Sequence, residues 1–415
     1  MKKLMVYSHD TFGLGNIRRM LSICHHLLET IPDLSILLVT GSPMIHSFRL
    51  PPRLDYIKLP CLSRTEYEGY TVKSLGTSMD ETMQLRADLL LSAVMNFKPD
   101  LLLVDKKPYG VKRELEGVLR YVRFHQPATK QALILRDILD APEATIQTWE
   151  KQNYYEAIDS FYDVVLALGS PKIFDLGNEY EFSPAMQAKL KYCGYIKREP
   201  GTKTRHEIRK QLAVRDDEKL VLVTPGGGED GYEILQNYLA GLALLPENNN
   251  IHSVIISGPE IAAPQRRMLA EFCLRASVTM LEFTDDLMSY MNAADVVVSM
   301  AGYNTICEIL TLQKRAIVIP RSCPTQEQTI RAARMSTLGL FKTIHPDDLT
   351  PKRLMQELIN ELNSKESAPK FALEALPKIA DWVRALLPES TTIEPDRQNR
   401  RDNLKSFSIS ALLHS

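Results

Sequence analysis

Residues 295–320 read DVVVSMAGYNTICEILTLQKRAIVIP. An apolar run ends at Met300, Ala301 and Gly302 turn the chain, a helix is expected near 303–312, and RAIVIP (315–320) is a second apolar run. Strands that are apolar at consecutive positions are buried on both faces, as in a parallel sheet whose strands are joined by crossover helices. This unit decides the fold class, because the same pattern recurs in both directions along the chain. KLVLVTPGGGEDG (219–231), IHSVIISG (251–258) and VTMLEF (278–283) belong to the same series. KLMVYS (3–8), LSILLVT (34–40), DYIKLP (55–60), DLLLVD (100–105), QALILRD (131–137) and DVVLALG (163–169) form an earlier one. Helices are expected at 80–97, 111–124, 231–244, 261–274 and 326–337. Ile17, Met20, Leu21, Cys24, Leu27 and Leu28 share one face of another helix. Two successive series predict an α/β protein with two doubly wound parallel-sheet domains facing across a cleft.

The expected domains are 1–197 and 198–388, with a polar tail at 389–415 that looks weakly ordered. The segment up to about 218 reads as an interdomain connection with a short helix. FALEALPKIADWVRALL (371–387) reads as a terminal helix.

The 415 residues are too many for one ordinary core, which agrees with two domains. The formal net charge is −1, so no large basic field favours nucleic acid. Six cysteines (Cys24, Cys61, Cys193, Cys273, Cys307, Cys323) include no CxxC pair. They read as reduced thiols in or near the core, in a cytoplasmic protein. The start, MKKLMVYSHD, is too short and polar for a signal peptide, and no run reaches the roughly 20 apolar residues of a membrane span.

Ligands of doubly wound sheets bind at the carboxyl ends of strands. Three loops lie there. SHDTFGLGNIRR (8–19) carries Gly13 and Gly15 just before a helix start, where free N–H groups and the helix dipole favour anions. A plain strand-to-helix turn, with Asn16 as cap, explains it equally well. It is not a full GxGxxG, so a nicotinamide cofactor is disfavoured. TPGGGEDG (224–231) carries Gly226, Gly227 and Gly228, which let a ligand approach the backbone, and Asp230 in a position to cap the next helix. It lacks the GK[ST] ending of an ATP-binding P-loop. The third region runs from Phe283 to Leu340. A diphosphate would sit on the helix start at Gly302, Tyr303, Asn304 and Thr305, Glu308 would accept from a ribose diol, and Gln326, Glu327 and Gln328 would read sugar hydroxyls.

This third region resembles the C-terminal domain of the MurG-type glycosyltransferases (glycosyltransferase family 28), which attach N-acetylglucosamine to a lipid-linked peptidoglycan precursor. The resemblance rests on the F-x-D-D-[LM] opening, the A-D-V-V-V strand, the glycine turn, the helix glutamate and the later glutamine. It extends to uncharacterised glycosyltransferases with a GYNT-x-x-E turn and a PR-x-x-P-x-x-EQ-x-x-RA segment, present here as Gly302–Glu308 and from Pro320. It implies a GT-B fold: two Rossmann-like domains, the acceptor on the first and a nucleotide sugar, of the UDP-N-acetylglucosamine kind, on the second. It also implies that Glu308 meets the ribose, Gln328 the donor sugar, the backbone at Thr284 the base, and Arg198 (or Lys197) the phosphates. Relatives place a proposed base, His, where this chain has Asn16.

Asn is not a general base. His9 is the first alternative and Asp10 the second, both at the end of the first strand; a structural hydrogen-bonding role explains His9 equally well. Asp105 is another cleft candidate. Amides and helix starts can stabilise a leaving diphosphate without a metal, and no metal-ligand spacing is present, so neither metal nor cofactor is expected. Of the acidic pair Asp285–Asp286, a helix cap is the expected role. Arg18, Arg19, Lys106, Lys107, Lys112 and Arg113 form either a rim for a phosphorylated or lipid-linked acceptor, with peripheral contact at the inner membrane face, or a solvated surface. A metal-independent inverting glycosyltransferase is the leading expectation. A UDP-N-acetylglucosamine 2-epimerase-type enzyme or hydrolase, and a non-catalytic nucleotide-sugar-binding subunit, are the alternatives.

Overall fold

The computed structural model describes residues 1–9, 15–64, 69–228, 230–246, 249–273, 278–365 and 369–388. The first sheet holds β1 (Lys2–Ser8), β2 (Leu34–Thr40) and β3 (Leu54–Lys58). A small antiparallel hairpin, β4 (Leu62–Arg64) with β5 (Tyr70–Val72), follows outside the sheet. The sheet continues with β6 (Leu101–Asp105), β7 (Lys130–Arg136), β8 (Val164–Leu168) and β9 (Leu190–Tyr192). Its spatial order is β3-β2-β1-β6-β7-β8-β9, parallel throughout. The second sheet holds β10 (Lys219–Thr224), β11 (Ile251–Ile256), β12 (Val278–Leu281), β13 (Val296–Ser299), β14 (Ala316–Val318) and β15 (Lys342–Thr343). Its order is β12-β11-β10-β13-β14-β15, also parallel. Each order reverses beside its first strand, β1 or β10, and that reversal opens a crevice at the strand ends.

The reason for the uninterrupted apolar runs is visible in the packing. Leu220 and Leu222 of β10 face one core cluster, while Val221 and Val223 face another. Val297 and Val296/Val298 of β13 divide the same way. A sheet covered on both faces has no polar face to alternate with.

The connection behaves as expected: Thr204 and Glu207 form a capping box that starts the Arg205–Gln211 helix. Asp286 caps the Leu287–Ala293 helix and also accepts from the Thr202 N–H, tying the connection to the second domain.

The terminal helix, Ala375–Leu386, does not stay with the second domain. Arg384 donates to the Thr30 carbonyl at the end of the first helix (Gly15–Thr30), the Ala375 N–H donates to Tyr195, and Lys191 lies over the Trp382 ring. Its apolar face (Ala375, Ile379, Ala380, Val383) therefore completes the first domain's core. Among the described residues no helix is long and apolar enough to cross a membrane. Cys24, Cys193 and Cys307 are buried free thiols and Cys61 is half-buried, but Cys323 is exposed, on a loop outside the core.

Candidate functional site at the interdomain cleft

The turn after β13 leads directly into the Tyr303–Leu312 helix. Gly302 occupies its N-cap position with no side-chain cap, and nothing lies within 4 Å of where a Cβ would project. The first-turn N–H groups of Tyr303, Asn304 and Thr305 thus border open space, a site suited to an anion. The turn itself is held rigidly. The Gln328 side-chain oxygen accepts from the Ala301 N–H (3.1 Å) and the Arg321 N–H (3.4 Å). Arg331 donates to the Ala301 carbonyl (2.8 Å). With its oxygen so engaged, Gln328 keeps its amide N–H pair without a partner among the described residues. The Tyr303 ring is buried and stacks on Tyr195, so only its backbone can serve a ligand.

Glu308 lies on the same helix, half-buried, with no hydrogen bond or ion pair among the described residues. Burial pushes its carboxyl up to about 6, against the pull of the nearby Arg198 and Arg18 charges. An acceptor-only group so placed is undersupplied with donors, and a vicinal diol would supply two. Arg198 is fixed by its own N–H on Thr311 (3.0 Å) and by its guanidinium on the Asn304 side-chain oxygen.

The second glycine loop is explained first by backbone crowding. Gly226 and Gly228 have φ of +85° and +99°, and a Cβ on Gly228 would stand 2.6 Å from the Ser257 carbonyl. Gly258, at φ +85°, packs its own would-be Cβ position 2.3 Å from the Gly227 carbonyl. Two loops in contact through bare backbone require glycine on both sides. Asp230 does not cap the next helix, whose N-cap is Gly231 without a side-chain bond. It pairs with Arg321 instead (3.0 Å). The Thr284 hydroxyl accepts from the Asp286 N–H (3.1 Å), while the neighbouring Phe283 ring is 49% exposed.

The expected sugar readers separate. Gln326 donates its backbone N–H to Asp140 of the first domain (2.7 Å). Glu327 is only 6% exposed and faces Arg136 (2.9 Å), Arg321 (3.6 Å) and Arg331 (3.8 Å). Burial pushes its carboxyl up, but the arginines more than offset this and hold it below the usual range. Glu327 is therefore part of an ion-pair network between domains, with no oxygen left open to the cleft. Gln328 meets the turn through its side-chain oxygen, while Gln326 meets the first domain through its backbone.

On the first domain, Asp10 and Gly13 lie outside the described residues. Asn16 donates its side-chain amide to the His9 carbonyl (2.8 Å), so it braces the loop where a base was expected from its position. His9 is 1% exposed. Gly15 accepts from the Asn304 amide (3.1 Å), which fastens the start of the first helix to the start of the Tyr303–Leu312 helix. Asp105 is not open to the cleft: it takes a bidentate bond from Arg19 (2.9 and 3.0 Å), and both are buried. Arg19 thus leaves the expected basic rim. Arg113 is also engaged, by Glu116 and by the Tyr109 ring at 4.0 Å. Lys107 lies over Tyr70, and Lys112 is exposed.

Sequence reasoning missed the centre of the domain contact. Arg331 binds Asp137 through two nitrogens (2.7 and 2.8 Å), and Tyr195 donates to the same carboxylate (3.0 Å). All three are buried. The one local signal was a charged residue closing the apolar strand QALILRD.

Residues 220–381 match the glycosyltransferase family 28 C-terminal domain. The chain is 28% identical over 193 residues to an uncharacterized glycosyltransferase of Methanopyrus kandleri, covering 46% of this chain and 52% of that one. It is 27% identical over 195 residues to the UDP-N-acetylglucosamine–N-acetylmuramyl-(pentapeptide) pyrophosphoryl-undecaprenol N-acetylglucosamine transferase of Brucella melitensis, covering 44% and 51%. These alignments span about half the length of the curated relatives. In shape the chain resembles MurG of Acinetobacter baumannii, with a TM-score of 0.58 and 12% identity over 93% of this chain and 100% of that one. It equally resembles the UDP-GlcNAc 2-epimerase of Neisseria meningitidis, at 0.59 and 15% over 93% and 100%. The architecture is therefore GT-B, one shared by transferases and epimerases.

Proposed function

From the match of residues 220–381 to the glycosyltransferase family 28 C-terminal domain, we propose that this protein is a glycosyltransferase that moves a sugar from a nucleotide-sugar donor, of the UDP-N-acetylglucosamine type, to an acceptor hydroxyl. The observation that carries this reading is Glu308: a half-buried carboxylate without a partner among the described residues, two turns along the helix whose uncapped start opens at Gly302. The ribose diol donates to Glu308. The diphosphate rests on the first-turn amides, with Arg198 beside it. The Gln328 amide donates to the sugar.

Bond breakage leaves negative charge on the diphosphate, and fixed N–H dipoles stabilise it without reorganisation. The acceptor comes from the first domain, where Lys107 and Lys112 suit a phosphorylated or lipid-linked molecule at a membrane face. A base must lie within hydrogen-bond reach of the acceptor oxygen. Asn16 lacks basicity and His9 is sealed in, so the base falls to Asp10 on chemical grounds. Attack from the face opposite the diphosphate inverts the anomeric centre.

The test is a thermal-shift panel of UDP, ADP, GDP and TDP sugars on the full chain. At least one raises the melting temperature of the native protein, and Glu308→Ala removes the shift, because a buried diol is left without its acceptor. If no nucleotide sugar shifts the native protein, the pocket assignment is wrong.

A further inference from the structure

Ala301, the residue before the Gly302 N-cap, is held on both sides by the Glu327–Thr337 helix. The Gln328 oxygen accepts from the Ala301 N–H, and the Arg331 guanidinium donates to the Ala301 carbonyl (2.8 Å). The Ala301–Gly302 peptide is trans, and in a trans peptide the N–H points opposite to the C=O. A carbonyl turned toward a fully buried guanidinium therefore sends the Gly302 N–H out of the other side of the turn. That N–H has no partner among the described residues. It adds a donor to those of Tyr303, Asn304 and Thr305. The local sequence does not secure this orientation. Flipping the peptide changes little beyond ψ of Ala301 and φ of Gly302, and glycine takes either sign of φ at small cost. Gly302 stands at φ −61°. The flipped peptide would aim the Ala301 carbonyl oxygen at a bound anion and withdraw one donor from it. Arg331 opposes the flip, and the other domain sets Arg331. Asp137 takes two of its three guanidinium nitrogens (2.7 and 2.8 Å), which leaves the third for Ala301. Both side chains are buried.

Resting on the nucleotide-sugar reading above, we propose that Arg331 is a positioning residue for the donor diphosphate: it holds the Ala301–Gly302 peptide with its N–H toward the phosphates, and Asp137 of the first domain aims it there. The anion site is then complete only while the two domains are in contact. Separation of the domains frees the peptide and loosens the grip on the departing diphosphate. The task needs a planar, three-nitrogen fork that meets a carboxylate with one edge and a carbonyl with the remaining nitrogen. A lysine ammonium in its place keeps the ion pair and loses the fixed second arm.

Isothermal titration of the full chain with UDP, ADP, GDP, TDP and inorganic pyrophosphate tests this, beside urea unfolding of the same preparations. Arg331→Lys weakens the best-binding nucleoside diphosphate and pyrophosphate alike, each by about tenfold. The paired variant Asp137→Leu with Arg331→Met separates positioning from packing. It removes the buried charges together, so it folds more stably than a chain that has lost Asp137 alone. The bond to Ala301 stays missing, and pyrophosphate affinity stays about tenfold below native. Arg331→Lys carries the test if the paired variant does not fold. If a folded variant of either kind binds pyrophosphate as tightly as native, Arg331 only packs the domain interface and the proposal is refuted. If the native chain binds a nucleoside diphosphate but not pyrophosphate, the turn is not the anion site; the proposal is refuted and the pocket stands. If the native chain binds none of these ligands, the pocket reading falls and the proposal with it.

Discussion

Replacing Glu308 with glutamine should make the protein more stable and less able to bind nucleotide. Burial raises this carboxyl from an ordinary 4.5 to about 6, despite Arg198 and Arg18 nearby. The folded state therefore holds the proton more tightly than the unfolded chain does. Below about pH 4.5 both states are protonated and the group costs nothing. As pH rises from 4.5 through 6 the folded state must carry a poorly solvated charge, and stability is lost; above that range the loss is constant. At about 1.4 kcal/mol per tenfold difference in proton affinity, the full loss is about 2 kcal/mol. Water reaches the half-buried group, so about 2 kcal/mol is a ceiling. Glutamine keeps the shape and removes the charge. Urea unfolding of both proteins at pH 4 and pH 8 reads the effect: the variant is more stable at pH 8, by at most about 2 kcal/mol, and the advantage fades toward pH 4. Nucleotide affinity moves the other way, falling about tenfold at pH 8 as charge-assisted bonds to the ribose are replaced by neutral ones. A variant less stable than native at pH 8, or an advantage that does not shrink toward pH 4, would refute the reasoning.

Asp137→Ala leaves the Arg331 guanidinium buried without its carboxylate and should cost about 3–5 kcal/mol in urea unfolding; the pair replacement Asp137→Leu with Arg331→Met should recover most of it, and a loss below about 1 kcal/mol would show the pair to be dispensable. Gly258→Ala forces a Cβ to within 2.3 Å of the Gly227 carbonyl at φ +85°, and should lower stability by about 1–3 kcal/mol and weaken nucleotide binding in the same preparation. Asp10→Asn should abolish transfer while leaving nucleotide affinity intact, as measured by titration beside turnover, whereas full turnover would move the base elsewhere. Dialysis against EDTA should leave both nucleotide binding and turnover unchanged, since the account gives the diphosphate to amides and Arg198; a loss restored by magnesium or manganese would contradict it.

The two sheets were legible because their strands announce themselves. VVLAL and VVVS can only be apolar at successive positions if both faces are covered. The short edge strands β9 and β15 were not legible, since three or two residues leave no pattern to read. The terminal helix was visible as a helix, but its amphipathic face says only that it packs, and Ala375–Leu386 packs back across onto the first domain. The pocket was partly readable for the same reason. Gly302 and Glu308 lie within one helix and their spacing is local. Glu327 looked like a sugar reader and Asp230 like a helix cap because the shortest ion pair of each is made with an arginine distant in sequence, Arg136 for Glu327 and Arg321 for Asp230. Asp137 and Arg331 are 194 residues apart, and a pair at that separation leaves no trace in either neighbourhood. Asn16 was singled out for its position, and its bond to the His9 carbonyl gives it a structural task there.

The central claim is sugar transfer, and one measurement reaches it directly: release of free UDP from UDP-N-acetylglucosamine by the full chain, with and without fractionated lipid and glycan acceptors, with the sugar product analysed in the same samples. The account predicts UDP release that depends on an added acceptor and is absent in Glu308→Ala. Equal release without acceptor, or an epimerised sugar with no dependence on acceptor, would contradict it.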